Sequence, residues 1–104
     1  MNKQLQFGLE QLDIDNIIAI LKQTDEVESA ILFGSRAIGT NRAGSDIDIV
    51  LKGKLVSHQN LLNILIALDN LDLPYKFDII IYSKIKEPAL IEHIKRVGKT
   101  LYFK

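Results

Sequence analysis

Three aspartates and one glycine–serine pair are the residues of this sequence best suited to chemistry. Asp46 and Asp48 stand two apart in Asp46-Ile47-Asp48-Ile49-Val50, a segment whose alternation predicts a strand. Side chains two apart on a strand leave the same face, so both carboxylates share one surface. Asp78 falls inside a second apolar run, Phe77-Asp78-Ile79-Ile80-Ile81. A charge among such neighbours is costly unless it is paired, solvated or bound to metal. If the two strands are neighbours, three carboxylates converge, and they repel and hold protons unless a divalent cation neutralises them. Oxygen-only ligation favours a hard ion, and Mg2+ characteristically joins carboxylates to substrate phosphates.

Upstream, the buried run ending Leu32-Phe33 passes into the small, polar loop Gly34-Ser35-Arg36-Ala37-Ile38-Gly39-Thr40-Asn41-Arg42-Ala43-Gly44-Ser45. Gly34 permits close approach of a phosphate, and the amides of a turn or helix start, with the Ser35 hydroxyl, donate to anionic oxygen. Arg36 and Arg42 are two of only three arginines in the chain. Their planar forks suit bidentate phosphate contacts better than lysine does. Each part also has an ordinary structural reading. Asp46 could cap a turn, Asp78 could face water at a sheet edge, and both arginines could be solvated.

Competing motifs fail on inspection. Gly34 to Gly39 has the glycine spacing of a P-loop, but Thr40-Asn41 replaces its Lys-Ser/Thr. Asp46-x-Asp48 starts like an EF-hand, yet Val50 and Leu51 take the next ligand and glycine positions. No G-x-G-x-x-G run supports dinucleotide binding.

Positioning these groups falls to a short chain. Its 104 residues allow one domain, residues 1–104, and at this size folding buries roughly two-thirds of the unfolded surface. Hydrophobic residues make up 47% and charged residues 25%, as in an ordinary globular domain. Basic and acidic side chains balance at 13 each, which argues against strong binding to long nucleic acid. Without cysteine there are no disulfides or thiolate sites, in keeping with a cytoplasmic protein. Neither a signal peptide nor a membrane span is expected.

The pattern predicts a first helix capped at Asp13 or Asp15, then strands at Val27 to Phe33 and Ile47 to Leu51. A helix from Ser57 to Asn70 and a strand from Tyr75 to Tyr82 follow. Pro88 opens a last helix that Gly98 ends, and Thr100 to Phe103 adds an edge strand. The link between the first two strands is short for a parallel crossover. The expected fold is therefore α+β: a mixed β-sheet with helices packed on one face. His58 reads as a helix-start residue and His93 as a surface residue, while Tyr75, Tyr82 and Tyr102 read as packed strand residues. Lys84, Lys86, Lys95, Arg96, Lys99 and Lys104 read as a solvated basic face.

Taken together, Gly34-Ser35, ten intervening residues, Asp46-Ile47-Asp48 and the later Asp78 resemble the signature of the minimal nucleotidyltransferases, within the DNA polymerase β-like superfamily. Arg36, Gly39, Arg42 and Ser45 also match, and the resemblance covers nearly the whole chain. Ile38 departs from it, standing where many relatives carry a further arginine, and implies a weaker hold on a triphosphate.

The resemblance implies a polymerase β-like fold with two Mg2+ ions held by Asp46 and Asp48. Asp78 would ligate the catalytic ion and help activate an acceptor hydroxyl. Gly34 and Ser35 would cradle the phosphates of ATP or another nucleoside triphosphate, with Arg36 and Arg42 adding charge. So short a chain leaves little room for an acceptor domain. The family is typically paired with a HEPN-domain toxin, which it modifies with AMP on tyrosine as the antitoxin, in a homo- or hetero-oligomer. A non-catalytic binding antitoxin and nucleotidyl transfer to a small molecule such as an aminoglycoside are the alternatives.

Overall fold

The computed structural model describes residues 6–104. Four strands form one mixed sheet in the order β3-β2-β1-β4, where β1 is Ser29–Phe33, β2 Ile47–Lys52, β3 Phe77–Ile81 and β4 Lys99–Phe103. β1 runs antiparallel to both β2 and β4, whereas β2 and β3 are parallel. The short link between β1 and β2 thus makes an antiparallel pair, as its length predicts. It contains one helical turn, α2 (Ser35–Ile38). The parallel pair is joined by a full helix, α3 (His58–Asp69).

Alternation along the strands divides the sheet into two faces. Ala30, Leu32, Ile47, Ile49, Leu51, Ile79 and Ile81 join the main core. Against them lie α1 (Gln11–Lys22), through Ile14, Ile17 and Leu21, and α3, through Ile64 and Leu68. These spacings of three, four and seven residues are those of a single helical stripe.

Opposite, a smaller cluster joins Phe33 and Val50 to Ile94 of α4 (Pro88–Val97), with Leu90 packed alongside. The expectation of helices on one face therefore holds for α1 and α3, with α4 the exception. Helical spacing shows which side of α4 is apolar but not which sheet face receives it. Gly98, at the end of α4, makes that packing possible. A Cβ there would collide with the Ile94 carbonyl and come within 2.7 Å of Ile31 Cγ2.

Several boundaries follow local chemistry. Ser57 caps α3 in a reciprocal box: the Asn60 N–H donates to Ser57 Oγ at 3.1 Å, and the Ser57 N–H to Asn60 Oδ1 at 2.8 Å. α1 begins earlier than its aspartates predict. Glu10 takes the cap position and Asp13 lies within the first turn. Leu9, just before the cap, is buried in the same core as Ile14, which staples the helix start two residues ahead of Asp13. β3 is shorter than its apolar run: Tyr75 precedes it, and Tyr82 opens a 3₁₀ turn with Lys52 Nζ 4.5 Å from its ring centre. Tyr102 is the strand tyrosine of the three.

Candidate functional site

The sheet brings the separated acids together. Asp48 is paired in register with Phe33 of β1 on one side and with Asp78 of β3 on the other. In parallel strands, register partners project from the same face, so the Asp48 and Asp78 carboxylates stand side by side. Asp46 lies two residues earlier, at the entrance to β2, and is exposed like Asp78, whereas Asp48 is half-buried. Burial raises the Asp48 pKa above its ordinary value, and the negative charges of Asp78 and Asp46 raise it further. Positive charge at Arg36 opposes this without offsetting it.

The Gly34-Ser35 turn abuts this row. Gly34 has φ 74° and ψ −156°, a conformation open almost only to glycine. A Cβ at this position would collide with Asp48 Oδ2, so glycine is required twice over. Ser35 then opens α2, whose first-turn amides have no partners within the helix. The Ser35 hydroxyl makes no hydrogen bond with any described residue. Amides and a hydroxyl beside clustered carboxylates can bind a phosphorylated ligand through a bridging cation.

The arginines go elsewhere. Arg36 is only 2% exposed. Its Nε and Nη2 donate to the Ser45 carbonyl at 3.2 and 2.8 Å, and its Nη1 to the Phe7 carbonyl at 2.8 Å. The guanidinium lies 4.9 Å from the centre of the Tyr75 ring. Expected to reach for phosphate, Arg36 instead clamps the loop immediately before Asp46, because the Ser45 and Phe7 carbonyls claim its fork. Arg42 is exposed, and its N–H donates to Ser45 Oγ at 2.8 Å. Its side chain lines a separate cleft with Gly8, Asn41, Pro74 and Tyr75, apart from the carboxylate row. Ile38 is exposed at the end of α2.

One residue of the site is missed by sequence reasoning. His93, expected at the surface, is half-buried and accepts a hydrogen bond at Nε2 from the Gly34 N–H, 3.3 Å away. Its signal was faint: it sits one residue before the buried Ile94, on the helix whose sheet face the pattern left open. His58 is the first residue of α3, as expected.

The donor set fits a hard divalent cation, being carboxylate oxygen throughout. Among the described residues, no three acidic, cysteine or histidine side chains enclose an ion unaided. An open row of this kind suits Mg2+, which keeps several waters and takes phosphate oxygens as further ligands.

Comparison with known proteins bears on the fold and the family. No curated protein matches the sequence. Among solved structures, a toxin–antitoxin with AMP-PNP is 23% identical, with a TM-score of 0.71 over 88% of this chain and 73% of that one. A tri-AMPylated Shewanella oneidensis HEPN toxin in complex with its MNT antitoxin is 22% identical, with a TM-score of 0.66 over 90% and 72%. The toxin–antitoxin MntA-HepT is 21% identical, with a TM-score of 0.67 over 91% and 74%. At these identities the likeness is one of fold. No described helix is long and apolar enough to cross a membrane. Residues 15–104 match the family described as polymerase beta, nucleotidyltransferase, and the chain belongs to that family of nucleotidyltransferases.

Proposed function

We propose that the protein is an Mg2+-dependent adenylyltransferase that moves AMP from ATP onto a tyrosine hydroxyl of a HEPN-domain toxin, acting as its antitoxin. The observation that carries this reading is the in-register pairing of Asp48 with Asp78 beside the Gly34-Ser35 turn. Its kinship in fold to complexes containing AMP-PNP and an AMPylated HEPN toxin supports the choice of nucleotide and acceptor.

Asp46 and Asp48 would hold two Mg2+ ions, with Asp78 as a further ligand to one. When bound, the ions supply charge stabilisation for the entering and leaving oxygens. Ser35 Oγ and the first-turn amides of α2 donate to the β- and γ-phosphates. Asp78, exposed at the outer strand, orients the acceptor hydroxyl and takes its proton. The hydroxyl oxygen bonds to the α-phosphorus, the bond from that phosphorus to the bridging oxygen breaks, and pyrophosphate leaves. Arg36 acts at a distance by fixing Ser45, and through it the start of β2.

The test incubates the purified chain with a folded HEPN protein encoded beside it, labelled ATP and Mg2+. Label on a partner tyrosine is expected, and it disappears with EDTA or with Asp46→Asn/Asp48→Asn. An unlabelled partner overturns the reading. Neutralisation that survives the double substitution assigns a binding-only antitoxin instead, and transfer to small hydroxylated acceptors without a partner assigns a different acceptor class.

A further inference from the structure

Two neighbours bound Gly34, whose backbone conformation suits glycine. Asp48 crowds one side of it, and His93 holds its N–H. That hydrogen bond joins residues 59 apart in sequence and ties α4 to the turn. The imidazole is itself fixed: its ring meets Phe33 edge-on, with centroids 6.2 Å apart and planes at 83°. The neighbouring Ile94 anchors α4 against Phe33 and Val50. Accepting at Nε2 requires a neutral ring with its proton on Nδ1.

We propose that His93 is a positioning residue for the nucleotide, holding the Gly34 N–H on the carboxylate face where a phosphate oxygen will take it. This rests on reading Gly34-Ser35 as the phosphate-binding turn. A phosphate oxygen is a charged acceptor and forms a stronger hydrogen bond than a neutral imidazole at 3.3 Å. Phosphate thus takes the larger share of the N–H while Nε2 keeps the rest, a three-centre hydrogen bond on a turn already shaped for it. Such preorganisation lowers the ordering cost of binding. The side chain acts through Gly34 and needs no contact with the reacting atoms.

Long-range 1H–15N spectra of the wild-type chain test the hydrogen bond directly. Protonated Nδ1 and bare Nε2 are expected, and a proton on Nε2 overturns the proposal. Adding Mg2+ and AMP-PNP should shift the Gly34 amide and His93 Nε2 together, and a Gly34 shift without an Nε2 shift overturns it. His93→Ala leaves the turn to be ordered on binding, and should weaken AMP-PNP binding roughly two- to tenfold, the scale of one hydrogen bond, and raise KM for ATP more than it lowers kcat. His93→Gln, whose amide oxygen can accept the same N–H, should recover most of the loss. Unchanged binding in the alanine variant, or no recovery with glutamine, counts against a positioning role. If the alanine variant does not fold, the tautomer and the glutamine variant still decide. A wild-type chain that binds no nucleotide defeats the functional reading, whereas the tautomer reports separately on the grip of His93 on Gly34.

Discussion

Asp48 on β2 and Asp78 on β3 are direct register partners in adjacent parallel strands, so two carboxylates share one spot on the sheet. Without a cation this juxtaposition opposes folding, since burial and like charge both disfavour the ionised Asp48. Its raised pKa means that the folded state binds a proton more tightly than the unfolded chain. The stability so contributed is complete below the ordinary value of 3.8 and is lost as pH rises through the raised folded value. Asp48→Asn has neither the charge nor the titration. In EDTA the variant should therefore melt above wild type at pH 7, and the gap should close on acidification below the ordinary carboxylate range. A variant that melts lower at pH 7 would remove the electrostatic account of the pair.

The same repulsion gives a cation its leverage. Mg2+ with AMP-PNP should raise the melting temperature of wild type and leave Asp48→Asn nearly unmoved. A ligand at 100 times its Kd stabilises by about 2.7 kcal/mol, which for a domain of this size is a shift of roughly 10 °C or more. Thermal scans with and without EDTA measure it. Equal shifts in both proteins would place the bound cation elsewhere.

How much of this site was legible depended on the range of each signal. The paired acids, the Gly34 turn, the Ser57 cap and the Pro88–Gly98 limits of α4 are local, and each lies where its residue chemistry indicates. The parallel pairing of β2 with β3 was accessible only as a condition, because no local pattern says which strands adjoin. The roles of His93 and Arg36 were hidden for the same reason. One depends on which face α4 covers, and the other on carbonyls of Phe7 and Ser45, 29 and 9 residues away. An arginine beside a glycine–serine turn looks available for phosphate until the distant acceptors that occupy it are known.

Glycine at position 34 is demanded by both backbone and space, whereas a Cβ at Gly39, also at positive φ, would meet nothing within 4 Å. Gly39→Ala should therefore carry only the left-handed strain of about 1–2 kcal/mol and keep its nucleotide affinity. Gly34→Ala adds a collision with the Asp48 carboxylate. It should lose more stability than Gly39→Ala and reduce AMP-PNP binding as well. Urea unfolding and calorimetric titration of the two variants compare them. Equal losses at both positions would show that the contact between Gly34 and Asp48 matters little.

Arg36→Lys separates a clamp from a phosphate ligand. Lysine keeps the charge but cannot span the Ser45 and Phe7 carbonyls that the guanidinium bridges. At a site only 2% exposed, a carbonyl left without its donor costs about 1–3 kcal/mol. The variant should unfold at clearly lower urea concentration, because the loop leading into Asp46 loses its tie to the body of the domain. Nucleotide affinity measured well below the unfolding transition should fall less than it does for Asp48→Asn. The reverse pattern, with stability intact and affinity for AMP-PNP sharply reduced, would mean that the guanidinium leaves its carbonyls to reach a phosphate when nucleotide binds.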